Sequence, residues 1–62
     1  MNQKIVNQLL KQLIKVTWDG DLMSKEGRDW LVKNELAQRL GGFNWLTPKG
    51  VFQAARLGII KT

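Results

Sequence analysis

The side chains that most often carry catalysis are missing from this chain. Its 62 residues include no Cys and no His. Thiolate and imidazole chemistry at neutral pH, and the metal sites built on those ligands, therefore have nothing to work with. The two carboxylates closest in sequence are Asp19 and Asp21, on either side of Gly20. Asp-Gly is a turn pair, because Gly accepts positive φ and Asp bonds its own backbone, so a turn explains this spacing better than a tuned acid–base pair does. The other acids, Glu26, Asp29 and Glu35, stand apart. The expectation is a protein without catalytic residues, metal ligands, cofactor or small-molecule substrate.

What the sequence does offer is positive charge and aromatic surface. Ten Lys and Arg against five acids give a net charge of +5, a bias that favours polyanionic partners. The bias is uneven. Lys4, Lys11 and Lys15 precede every acid, and Arg39, Lys49, Arg56 and Lys61 follow every acid. The middle of the chain is balanced, with Lys25, Arg28 and Lys33 facing the five carboxylates. Hydrophobic residues make up 44%, including three Trp and two Phe, which is enough for a packed core and too many for a disordered tail. No apolar run is long enough to cross a membrane, and the N-terminus lacks the apolar stretch of a secretory leader. A cytoplasmic protein is expected, folded as one domain over residues 1–62.

The elements that must position these groups can be read in order. Ile5, Val6, Leu9, Leu10, Leu13 and Val16 recur at helical spacing, with Ile14 at the edge, and predict an amphipathic helix over residues 2–16. Thr17 to Asp21 read as the turn that ends it, with Trp18 folded back onto the core and Leu22–Met23 as a short extended piece. Ser24 is a natural N-cap for a second helix over 25–34. Its inward residues are expected to be Gly27, Trp30, Leu31 and Asn34, and its outward ones Lys25, Arg28, Asp29 and Val32. Residues 36–47 read as a β-hairpin around a Gly41-Gly42 turn; a two-residue turn sets Leu40 opposite Phe43 and Gln38 opposite Trp45, whereas a longer loop using Phe43 and Asn44 would shift the register. One face then carries Leu36, Leu40, Phe43 and Trp45, and the other Ala37, Arg39, Asn44 and Leu46. Thr47-Pro48 caps and opens a last helix over 48–57, with Val51, Phe52 and Ala55 inside, Gly58 as its C-terminal stop, and Ile59 and Ile60 tucked onto the core.

A helix carrying Asp29-Trp30-Leu31-Val32, the run Leu36-Ala37-Gln38-Arg39, the Gly41-Gly42 turn and Asn44-Trp45-Leu46-Thr47-Pro48-Lys49-Gly50 together resemble the winged-helix group. Within that group they look most like small phage or prophage proteins and the second half of MarR- and PadR-type regulators. The resemblance implies an α+β fold of helix, helix, two-stranded hairpin and helix. It makes residues 25–34 the recognition helix and 39–44 the wing. The chain departs from the pattern in two ways. Only residues 17–23 stand where that group has a further helix, and the recognition helix has no positive excess.

Two functions follow. The first is DNA binding of a transcription-regulatory or phage accessory kind. Lys25, Arg28 and Lys33 on the helix would meet bases or phosphates. Arg39, Gly41, Gly42 and Asn44 would approach as the wing, and Lys49 would meet a phosphate at the start of the last helix. The second is a protein-interaction module using the same surface through Phe43, Val32 and whichever of Trp45 and Leu46 is exposed. A homodimer would serve either.

Overall fold

A computed structural model describes residues 2–60. It comprises α1 (Gln3–Gln12), β1 (Thr17–Trp18), a single 3-10 turn (Asp19–Asp21), α2 (Lys25–Lys33), β2 (Ala37–Leu40), β3 (Phe43–Leu46) and α3 (Pro48–Arg56). The three helices pack with a three-stranded antiparallel sheet of order β1-β3-β2. The architecture is α+β, as expected, but the hairpin has gained a third strand from the segment read as a turn.

Each helix begins on a side-chain cap. Asn2 Oδ1 accepts from the Lys4 amide at 2.8 Å, Ser24 Oγ from the Gly27 amide at 2.9 Å, and Thr47 Oγ1 from the Gly50 amide at 3.0 Å. Each satisfies one of the donors a helix start leaves unpaired. Ser24, and Thr47 with Pro48 behind it, fall where the sequence places them. α1 stops a turn earlier than its periodicity suggests. At its last residue the Gln12 side chain ties α1 to the following segment, donating from Nε2 to Asp21 O at 2.8 Å and accepting at Oε1 from the Met23 amide at 3.1 Å. Val16, expected inside, is 63% exposed. Leu22 is extended, as expected, but strand pairing occurs at Thr17–Trp18, directly after Val16.

The core is Val6, Leu9, Leu10 and Leu13 from α1, Leu31 from α2, Ala37 and Leu46 from the sheet, and Ala54 from α3. Ile5, Leu22, Trp30, Leu36, Ile59 and Ile60 pack partly against it. Gly27 lets α2 lie on α1, because a Cβ there would overlap Leu9 Cδ1 and come within 3.2 Å of Ile5 Cγ2. On α3 the inner face is Gly50 and Ala54, not Val51, Phe52 and Ala55. Val51 and Phe52 are exposed and Ala55 is half-buried. A helix that meets its neighbours through Gly and Ala sits too close for larger side chains to point inward, so the apolar periodicity alone is misleading there. On α2, Asn34 faces solvent and Arg28 faces inward, the reverse of the expectation for both.

The hairpin register is as the Gly-Gly turn requires: Leu40 pairs with Phe43, Arg39 with Asn44, Gln38 with Trp45 and Ala37 with Leu46. Ala37, Asn44 and Leu46 face the core, so Leu40, Phe43 and Trp45 lie on the other side of the sheet. α2 ends with Glu35 at φ 63°, the left-handed region where helix ends usually place Gly. The Leu36 amide bonds Leu31 O at 2.8 Å and the Glu35 amide bonds Val32 O at 3.0 Å, so these helix-end bonds hold a side chain where it costs roughly 1–2 kcal/mol. Glu35→Gly is therefore expected to raise stability by about 1 kcal/mol. A urea melt with an unchanged slope and a higher midpoint would show it, and an unchanged or lower midpoint would refute it.

Candidate functional site

Three of the residues read as nucleic-acid contacts meet in one place, around a residue read only as a turn former. Asp19, at the start of the 3-10 turn, accepts from Arg28 Nη1 at 2.8 Å, Asn44 Nδ2 at 2.8 Å and Arg39 Nε at 3.1 Å. Arg39 Nη2 closes a second bond to its other oxygen. Asn44 is fully buried and fully used: Nδ2 also donates to Thr17 O at 3.0 Å, and Oδ1 accepts from Arg28 Nη1 at 3.0 Å. Arg28 Nε turns back to Asp29 at 2.7 Å. The cluster ties β1, the 3-10 turn, α2, β2 and β3 together. The Arg39 fork first, then the Asn44 amide, hold the Asp19 carboxyl well below the usual carboxylate range. No buried side-chain polar atom among the described residues lacks a partner.

Arg28 and Asn44 are therefore internal and present no charge or amide to a ligand. Gly42 is covered too, since a Cβ on it would overlap the Trp18 indole. Gly41 stands open at the turn. Arg39 is half exposed but engaged by Asp19. Lys49 is exposed near the end of α2, donating to Asn34 O at 3.4 Å and lying 3.9 Å from Glu35. Lys25 and Lys33 are exposed and carry no ion pair among the described residues. They share the outer side of α2 with Glu26 and Asp29, which cancel them.

No family model, curated protein or solved structure matches the chain. Its own surface must then carry the reading, and the most distinctive part of that surface is apolar. Trp18 and Phe43 stack at 5.3 Å between ring centroids with a 58° tilt. They remain 49% and 47% exposed, and Leu40 beside them is 73% exposed. With half-buried Trp45 they lie on the side of the sheet opposite the buried Ala37, Asn44 and Leu46. Val32 is exposed on α2, at the groove beside β2. Leu46 is buried, which settles the choice between it and Trp45.

Sequence reasoning missed Asp19 and Trp18. A signal for Asp19 was present: hairpin alternation puts Arg39 and Asn44 on the side that also holds Ala37 and Leu46, and a polar pair facing a core needs a partner. Nothing in the sequence marked Thr17–Trp18 as a strand, since two residues are too few to show alternation.

Proposed function

We propose that this protein is a protein-interaction module of winged-helix type, which docks through the outer side of its sheet: Trp18, Leu40, Phe43 and Trp45. The observation that carries the reading is the exposed aromatic side, adjacent aromatics with an exposed Leu, in a chain where two of the polar candidates, Arg28 and Asn44, are turned inward. Patches of this kind mark contact sites, and centrally placed aromatics dominate their energetics. The strand order β1-β3-β2 and the helix–hairpin–helix sequence support the winged-helix likeness, with the 3-10 turn Asp19–Asp21 in place of the helix that group carries before its recognition helix. The +5 charge gives the partner its chemistry: an apolar patch with acidic groups around it.

DNA binding is the second reading. It is favoured by that charge and by the exposure of Lys25, Lys33 and Lys49. The buried Arg28 and Asn44 and the neutral outer side of α2 make it the weaker one.

The two readings separate in one set of measurements. Immobilised protein is expected to retain a partner whose binding weakens at least about tenfold in Phe43→Ala and Leu40→Asp. The same binding is expected to survive Lys25→Glu with Lys33→Glu. A labelled random duplex is expected to bind weakly. If the duplex instead bound tightly and lost about 40-fold between about 50 and about 200 mM salt, as three phosphate contacts would give, and if the lysine variants abolished that binding, the contact-module reading would fall.

A further inference from the structure

The sheet has one open edge with a regular strand. Leu36 O accepts from the Thr47 amide at 3.1 Å, and antiparallel alternation then makes 38/45 and 40/43 the hydrogen-bonded pairs of the β2–β3 ladder. The N–H and C=O groups of Ala37 and Arg39 point the other way, and none has a partner among the described residues. Edges are usually guarded by Pro, Lys or a bulge. β2 reads Ala-Gln-Arg-Leu with no bulge, and its one charge is turned back to Asp19. A groove of about 610 Å³ has all four β2 residues in its wall, with Val32 and Glu35 at one side and Trp45 at the other.

We infer that this edge pairs with the β2 edge of a second copy of the chain, antiparallel about a two-fold axis through Gln38. Three two-fold registers are open to such a strand, and the structure selects among them. An axis at Arg39 pairs Arg39 with its own symmetry mate but sets Ala37 against Gly41, which belongs to the turn and not to β2. An axis at Ala37 sets Arg39 against Glu35, whose backbone is already spent: its amide bonds Val32 O, and its carbonyl accepts from Thr47 Oγ1 at 2.7 Å. Only the axis at Gln38 places Ala37 opposite the partner's Arg39, so that every outward N–H and C=O of both strands is paired. The product is a six-stranded sheet whose two aromatic sides become continuous. This goes beyond the contact-module reading, since the edge and the aromatic side are different surfaces.

Because the chain has no Cys, Gln38→Cys tests the axis directly. A non-hydrogen-bonded antiparallel pair brings its two Cα atoms to about 4.5 Å, close enough for a disulfide. Gln38→Cys is expected to oxidise to a covalent dimer with native circular dichroism. Leu40→Cys, which lies opposite the partner's Leu36, is expected to stay monomeric under the same oxidation. In sedimentation experiments the unmodified protein is expected to dimerise with rising concentration. Gln38→Lys, exposed and harmless to the monomer, is expected to raise the dissociation constant about tenfold or more by setting two cations on the axis. A chain that stays monomeric at millimolar concentration, or Leu40→Cys linking as readily as Gln38→Cys, would overturn the pairing. A monomeric chain that still retains a partner through Phe43 would remove the pairing alone and leave the contact-module reading standing.

Discussion

Gly50→Ala is expected to leave the protein largely unfolded at room temperature. Gly50 is the third residue of α3, and a Cβ built on it would land on the carbonyl oxygen of Leu36 and within 2.9 Å of its carbon. The obstacle is backbone, so no rotamer change relieves it. Nor can either side retreat freely. Leu36 O holds the Thr47 amide and Thr47 Oγ1 holds the Gly50 amide, so the start of α3 and the entry to β2 are fixed to each other. Overpacking costs about 1–3 kcal/mol where side chains can shift and more where they cannot. A chain of this length has about 3–9 kcal/mol in total, so the substitution removes most of it. Gly41→Ala is the control. It has positive φ but open space around it, and it should cost only about 1–2 kcal/mol. Far-ultraviolet circular dichroism with a thermal melt separates the two. A cooperative Gly50→Ala melt near that of the unmodified protein would mean that α3 and β2 are not in the contact described.

Acid is expected to weaken the protein through Asp19. Its carboxyl titrates well below the usual range in the folded state because Arg39, Asn44 and Arg28 bond its charged form, while in the unfolded chain it titrates near pH 4. A folded-state pKa below the unfolded one gives stability that is fully present above about pH 4 and lost as pH falls toward the folded value. Asp19→Asn lacks that contribution at every pH and leaves Arg28 and Arg39 facing each other without their anion. The variant is therefore expected to be much less stable than the unmodified protein at neutral pH. The gap between their urea midpoints should then narrow steadily below about pH 4. Parallel curves down to pH 2 would show that Asp19 is not the residue that holds the two arginines.

The contrast between these sites explains which parts of the fold were legible. Ser24, Thr47-Pro48, Gly41-Gly42 and Gly58 act within three or four residues of themselves, and each has the role its sequence context assigns. Local chemistry suffices there. The Val6–Leu13 stripe on α1 is legible for the same reason. The α3 stripe is not, because how closely α3 approaches the entry to β2 depends on Gly50 meeting Leu36, fourteen positions earlier, and periodicity carries no such information. Arg28 looked like an outward cation because α2 was read by itself. Asp19 and Asn44 turn it inward from nine and sixteen residues away. Of the candidate contact surface, Phe43 and Trp45 could be placed from hairpin alternation, whereas Trp18 joins them only because β1 adds to β3 across 25 residues.

That long-range addition has a consequence for the order of folding. The hairpin closes over a two-residue turn and α2 over a single cap, both cheap in loop entropy. β1 contributes two residues to the sheet, and Asn44 and Arg39 reach Asp19 only after that strand has crossed to Phe43 and Asn44. The polar cluster is therefore expected to form late in folding, and its weakening to shorten the lifetime of the native state more than it slows folding. On that order the Asp19 cluster acts as a latch on a fold that the Gly-Gly hairpin is expected to start.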